Sequence, residues 1–202
     1  MPPPSFRFTH FDFDPAKYDS LLSAMNALDD DMLKGISGLW TVRAVRTMEN
    51  RMTVMSVYDN KEALDAATET HRSVFADFAQ YMTGEPVVRS GGVVGEADGQ
   101  TPPDGMRYLR FTRALFDPSK FDAIKSYMDS RLQQLFKDVA GFSRLRVLRL
   151  EEDRILAAAG YTSKDAAEAA RETAQVALAG LAEYMTEPPL VREGDVVWRY
   201  VR

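Results

Sequence analysis

Arg7-Phe8-Thr9-His10-Phe11-Asp12-Phe13-Asp14-Pro15-Ala16-Lys17-Tyr18-Asp19 returns later as Arg110-Phe111-Thr112-Arg113-Ala114-Leu115-Phe116-Asp117-Pro118-Ser119-Lys120-Phe121-Asp122. The offset is about 103 residues. Sliding the chain on itself aligns 7–94 with 110–197 without a gap, at roughly four identical positions in ten. The chain is therefore read as two copies of one unit. The first spans 1–95 and the second 106–202, joined by a linker at 96–105 whose surroundings (Gly95–Gly105) are rich in glycine, proline and aspartate.

Within the first copy, Phe6–Phe13 alternates as a strand. Phe6, Phe8, His10 and Asp12 lie on one side, and Arg7, Thr9, Phe11 and Phe13 on the other. Asp14-Pro15 is an N-cap followed by proline at the first helical position, where its missing N–H costs nothing. Apolar residues from Tyr18 to Met32 then keep helical spacing until Gly35 and Gly38. Leu39–Thr47 and Arg51–Tyr58 read as a hairpin around Glu49-Asn50, and Asp59-Asn60-Lys61-Glu62 is a capping arrangement for a second helix. That helix carries the stripe Leu64, Ala67, His71, Val74, Phe75, Phe78 and Met82, and Val87–Val94 is a fourth strand. The order β-α-β-β-α-β is the ferredoxin-like unit. The second copy repeats it through Tyr108–Phe116, Phe142–Leu150, Arg154–Tyr161, Lys164–Met185 and Leu190–Tyr200.

One ferredoxin-like sheet covers one face with helices and leaves the other bare. Two copies in one chain solve this by packing sheet on sheet. The expected architecture is α+β: an intrachain pseudo-dimeric barrel with helices outside, existing as a monomer or a homodimer.

Composition narrows the function classes. Lys and Arg total 25 against 30 Asp and Glu, a net charge of −5, which argues against nucleic acid as a partner. There is no cysteine, so thiolate chemistry and disulfides are excluded. No apolar run is long enough to span a bilayer, and Met1-Pro2-Pro3-Pro4-Ser5 lacks an export signal. A cytoplasmic protein with a small-molecule partner and no membrane partner is expected. Arginines in strand-like runs, such as Arg144, Arg146 and Arg149, would serve an anionic ligand or pair with Glu151, Glu152 and Asp153.

Gly38-Leu39-Trp40-Thr41-Val42 opens the second strand, and Tyr58-Asp59-Asn60-Lys61-Glu62-Ala63-Leu64 leads through Thr70-His71 to Phe75. Gly141-Phe142 and Tyr161-Thr162-Ser163-Lys164-Asp165-Ala166 repeat these features. In these the chain resembles the dimeric α+β barrel superfamily, which includes antibiotic-biosynthesis-type monooxygenases, stress-responsive barrel proteins and heme-degrading monooxygenases. The resemblance implies a ligand pocket in each half, between helices and sheet. Heme degraders use an Asn on the first strand and a Trp and a His on the second helix. Phe8, Ala67 and Asp77 stand there in this chain, so heme degradation is not expected. For the cofactor-free oxygenases the resemblance points loosely to Trp40, Asn26, Tyr58 and Arg43.

The residues themselves point to the first half. Both histidines of the chain lie there: His71 on the helical stripe, where the second copy has Ala174, and His10 on the first strand, where it has Arg113. If the His10 face meets the helices, the two imidazoles stand on the order of 10 Å apart and can address one ligand. Histidine is suited to proton transfer near neutral pH. His71 is thus the candidate base, with His10 or Trp40 fixing the ligand; the alternative is a histidine that merely fills the core.

In the second half Ala157-Ala158-Ala159-Gly160 replaces Val54-Met55-Ser56-Val57, opposite an alanine-rich helix. The lost volume is recovered either by closer packing or by a ligand walled by Tyr161, Phe111, Leu178 and Met185, with Arg113 or Arg146 offering charge. A His10–His71–Asp12 metal set is unforced, and neither metal nor cofactor is expected. The leading reading is a cofactor-independent monooxygenase, or a related isomerase or cyclase, acting on an apolar or aromatic metabolite with His71, Trp40 and Arg43 at its site. The rivals are a non-catalytic ligand-binding module and a heme protein.

Overall fold

The computed structural model describes residues 4–202. Met1–Pro3, part of the stretch on which the export reading rests, lies outside the described residues. Among the described residues eight strands occur: β1 Ser5–Asp12, β2 Leu39–Met48, β3 Arg51–Tyr58, β4 Val87–Asp98, β5 Tyr108–Leu115, β6 Phe142–Glu151, β7 Arg154–Tyr161 and β8 Leu190–Val201. Hydrogen bonding links them in the order β1-β3-β2-β8-β5-β7-β6-β4 and closes an antiparallel barrel. The fold is the α+β barrel of two ferredoxin-like repeats. Two compact units divide it, one made of 1–92 with 196–202, the other of 93–195.

In the first unit β1 pairs with β3 and β4, and β2 pairs with β3. The end of β8 joins β2 through Arg202 N–H to the Trp40 carbonyl at 2.9 Å and Thr41 Oγ1 to the Tyr200 carbonyl at 2.7 Å. Its helices are α1 Tyr18–Asn26, α2 Asp30–Gly35, α3 Lys61–Ala66 and α4 Thr68–Phe78. The caps form where the sequence placed them. Asp14 accepts from the Ala16 N–H at 3.0 Å, at the start of a 3-10 turn at 15–17 that leads into α1. Asn60 accepts from the Ala63 N–H at 2.9 Å. The first helix does not run unbroken to Met32, because Asp29 caps a new helix by accepting from the Asp31 N–H at 2.8 Å.

In the second unit β5 pairs with β7 and β8, and β6 pairs with β7. Its helices are α5 Phe121–Phe136, α6 Lys164–Ala169 and α7 Arg171–Ala179. β4 continues to Asp98 instead of ending at Val94, so residues expected in the linker are strand. The extension is anchored: the Asp98 N–H donates to Gln133 at 2.8 Å, and Arg146 reaches the Asp98 carboxylate at 2.9 Å.

Each copy turns into its second strand at a glycine with φ +71°, Gly38 and Gly141, and a Cβ there would come within 2.6 Å of Ala63 or Ala166. Only glycine meets both demands. Each unit also keeps its own core between helices and sheet, built on Phe11, Phe13, Leu21, Met25 and Phe75 in the first and on Phe116, Ile124, Met128, Phe136 and Phe142 in the second. The opposite strand face is buried as well, at Phe6, Phe8, Val45 and Val57 and at Leu109, Phe111, Leu148 and Leu156.

Candidate functional site

Each unit holds a cavity between helices and strands. In the first it measures about 60 Å³ and is walled by Met25, Leu33, Val42, Val54, Phe75 and Trp198, among others. Its polar lining comes from Ser56, Tyr58, Thr70 and His71. A water needs about 10–15 Å³ on this measure, so the space exceeds a packing defect.

His71 is fixed from two sides. Its Nε2 lies 2.8 Å from Thr9 Oγ1, and its ring lies 4.5 Å from that of Phe75. The Thr9 hydroxyl can donate or accept, so the ring can change tautomer without moving. Burial, reinforced by Arg7, lowers its pKa to about 4. The imidazole is therefore neutral at pH 7, and it takes up a proton only where a developing anion compensates the burial and Arg7.

Arg7 is the residue that sequence reasoning missed. It lies on the same strand face as Thr9, is 3% exposed, and donates from Nη2 to the Leu64 carbonyl at 2.8 Å and to Thr68 Oγ1 at 2.9 Å. Its guanidinium stands 5.6 Å from the centre of the Tyr58 ring. Its Nη1 has no hydrogen-bond partner, and no carboxylate pairs with it among the described residues. A buried cation without a counter-ion is costly and calls for a compensating anion. The signal was present in the sequence: an arginine and a threonine, kept in both copies, on the side of the first strand that also carries Phe11 and Phe13.

That face, Arg7-Thr9-Phe11-Phe13, is the one that meets the helices, as the Thr9–His71 bond and the Phe11–Phe75 ring contact at 5.8 Å establish. His10 consequently points away from His71. It stacks on Phe8 at 6.5 Å and bonds Thr53 Oγ1 at 2.9 Å, and burial with Arg89 and Arg51 lowers it to about 4. The expected pocket with two imidazoles is not formed. Nor is a His10–His71–Asp12 set assembled, since Asp12 is held by Arg51 at 2.6 and 2.8 Å.

The remaining expected residues divide the same way. Tyr58 and Ala67 line the first cavity together with His71. Phe8 is buried on the other strand face, and so is Arg43, which donates to Thr41 Oγ1 at 2.8 Å. Trp40, 43% exposed, donates its indole N–H to Asp59 instead of turning inward. The β-bulge between Leu39 and Thr41 puts Leu39 on the cavity wall in its place. Asn26 is exposed at the end of α1.

In the second unit the cavity is about 70 Å³ and is lined by Arg110, Thr112, Ala157, Ala159, Ala174, Leu178, Met185 and Tyr161, among others. The volume is only slightly more than the first cavity's 60 Å³, so neighbouring side chains, such as Met106 against Gly160, take up most of the volume the alanines and glycine give up. Phe111 and Arg113 sit on the opposite strand face, where Arg113 pairs with Glu187 at 3.1 Å. Arg110 supplies the charge expected of Arg113 or Arg146. Arg146 is instead engaged by Asp98 at 2.9 Å and Glu96 at 3.5 Å. Among the described residues no cluster of three or more His, Cys, Asp or Glu is placed to hold a metal ion, and no helix is long and apolar enough to cross a membrane.

Repeats, strand order and paired cavities define a tandem ferredoxin-like α+β barrel. Solved structures share this form over nearly the whole chain. A candidate monooxygenase from Fusobacterium nucleatum superposes with a TM-score of 0.81 at 12% identity, covering 100% of this chain and 96% of its own. A candidate monooxygenase from Lactobacillus acidophilus gives 0.76 at 9% identity, over 98% and 96%. An anthrone oxidase-like protein gives 0.70 at 18% identity, over 98% and 93%. At such identities the likeness establishes the fold. No family model and no curated protein sequence matches the chain.

Proposed function

We propose that the first unit is the active site of a cofactor-independent monooxygenase acting on a small apolar or aromatic metabolite with a weakly acidic C–H or O–H group. The observation that carries this reading is a neutral, buried His71 on an apolar cavity, with the buried Arg7, which has no carboxylate partner among the described residues, outside the cavity lining but near enough to act on the imidazole electrostatically. A proton passes from the substrate to His71. The resulting anion is stabilised through space by Arg7 behind the cavity wall, and stabilising charge as it develops is the larger part of such catalysis. The anion is then electron-rich enough to react with dissolved O₂. For an anthrone-type methylene the balance is CH₂ + O₂ → C=O + H₂O, with one oxygen atom retained in the product. The anthrone oxidase-like and monooxygenase neighbours support the reading through their shared fold.

The test is oxygen uptake by the purified protein with anthrone or a hydroquinone. Stoichiometric quinone formation is expected, with His71→Ala slowing turnover at least about 100-fold, within the range general base catalysis contributes. Uptake that persists unchanged in His71→Ala would overturn the assignment, and so would its absence from the wild type.

A further inference from the structure

We infer that the second unit carries an anion site on the strand face turned away from its helices, where Arg154, Arg113 and Arg192 together hold a phosphate group. The three arginines stand on β7, β5 and β8. Arg154 faces Leu115 and Arg192 faces Phe111 across the ladders, so Arg113 is two positions off register from each of them. Neighbours on one face at that offset are on the order of 7–8 Å apart, which lets long side chains converge on one tetrahedral anion. The first unit shows that these positions do converge. Its equivalents are Arg51, His10 and Arg89, and both arginines act electrostatically on the imidazole between them.

Three guanidiniums here meet two carboxylates. Arg113 Nη2 reaches Glu187 at 3.1 Å and Arg154 Nη1 reaches Glu151 at 2.6 Å. Arg192 pairs with no carboxylate among the described residues, and its Nη1 donates only to the Val191 carbonyl at 3.1 Å. The Nε of each of the three is buried without a partner. Each guanidinium is thus desolvated on one side, and its outer donors gain more from an anion than they would in open water. The site is accessible: the Arg113 and Glu187 side chains are 40% and 45% exposed, and so exposed a pair is weak enough to exchange for a ligand. Comparison of the copies shows why the feature belongs to the second unit alone. In the first, Asp12 grips Arg51 with both oxygens, and its counterpart here is Leu115. The neutral His10 has become Arg113, so a carboxylate is lost and a cation gained. Forked donors in a row suit the several oxygens of a phosphate. Leu190, exposed and directly opposite Arg113, offers an apolar contact to the organic part of a phosphate monoester. The inference stands apart from the first-unit reading, because it concerns another strand face and involves no reaction.

The probes are inorganic phosphate and phenyl phosphate, titrated calorimetrically into the full chain in a chloride buffer. Saturable binding is expected. Arg113→Gln and Arg192→Gln should each weaken it at least about tenfold, as the loss of a charge-assisted hydrogen bond does. Leu115→Asp returns the first unit's carboxylate to Arg154 and should weaken it to a similar extent. Arg131→Gln removes an exposed cation from α5 and should leave binding within about twofold, since distant surface charges are screened. Tighter binding of phenyl phosphate assigns the site to a monoester, and tighter binding of inorganic phosphate assigns it to the free ion. Crystals grown with phosphate give a readout independent of variant folding, with its oxygens expected on Arg113 and Arg192. The inference is overturned if neither probe binds the wild type, if Arg113→Gln or Arg192→Gln binds unchanged, if Arg131→Gln weakens binding equally, or if the crystals place phosphate away from these arginines.

Discussion

Arg7 and Arg110 occupy equivalent positions on their strands, yet only one is electrically satisfied. In each unit Nη2 ties the arginine to the end of a helix, at Leu64 or Ala167, and the guanidinium stands 5.6 Å from a tyrosine ring. The difference lies on the neighbouring strand, where Arg7 faces Ser90 and Arg110 faces Glu193. Glu193 also reaches Arg171 at 3.4 Å, whereas the residue equivalent to Arg171 in the first unit is Thr68, which accepts from Arg7. A carboxylate and a second arginine in one unit are therefore replaced by two hydroxyls in the other. The first unit keeps a bare cation next to a neutral imidazole, and the second keeps a closed ion network next to an alanine. One fold thus presents a cavity with an imidazole on its wall and a bare cation behind it, and a cavity lined by an arginine whose charge Glu193 neutralises.

The sharpest way to break this comparison is to remove each arginine and measure oxygen uptake. Arg7→Met should lower kcat/KM about 100-fold, the scale of losing one oxyanion donor. Arg110→Met should leave it within about twofold. Equal losses would mean that the arginines serve only structure.

Stability should rank the same two variants in reverse. Arg110→Met strands Glu193 with the more exposed Arg171 as its remaining partner. It should cost about 2–3 kcal/mol in denaturant unfolding, somewhat below the loss for a fully buried pair. Arg7→Met gives up two hydrogen bonds but leaves no carboxylate behind, and should cost about 1 kcal/mol.

Ser90→Glu grafts the second unit's carboxylate onto the first. Ser90 is exposed in β4, so the longer side chain has room. The new carboxylate should pair with Arg7 and compete with the substrate anion, lowering kcat/KM about tenfold. It should also weaken the Arg7 effect on His71 and move that imidazole up from about 4 toward its ordinary value, which its NMR titration would follow. The same depression sets the acid stability. His71 and His10 both fall from 6.5 to about 4 in the fold. The unfolded chain therefore takes up protons first as pH drops, and stability is lost progressively from pH 6.5 down to about 4. A wild-type unfolding midpoint that does not fall across that window would contradict the burial of both rings.

The repeat made the fold readable, because a duplicated strand, Asp-Pro cap and glycine turn can be checked against its own second copy. The site was legible only in part. His71, Tyr58 and Tyr161 follow from helical stripe and strand ends, and they do line the cavities. His10, Phe8, Phe111 and Arg113 were misplaced for one reason. A strand buried on both faces does not reveal by alternation which face meets the helices. Phe6 and Phe8 looked like the core side, while the helix side carries Arg7 and Thr9, whose polarity is explained only by partners more than fifty residues away. Trp40 and Arg43 failed differently, through a bulge that no local pattern announces.

The smallest effect expected concerns the helix that differs between the copies. Asp29-Asp30-Asp31 stands where α5 has Leu132-Gln133-Gln134, and Leu132 is buried in an unbroken helix. Asp29 ends that continuity by capping α2, whose first turn carries the two further aspartates that its dipole favours. The break sets Leu28 on one side and Leu33 and Ile36 on the other, and all three line the first cavity. Asp29→Ala should therefore cost about 1 kcal/mol of stability through the lost cap. By loosening one cavity wall without touching His71 or Arg7, it should raise KM more than it lowers kcat. A fall in kcat alone would place the break in the chemistry and leave the wall without a role.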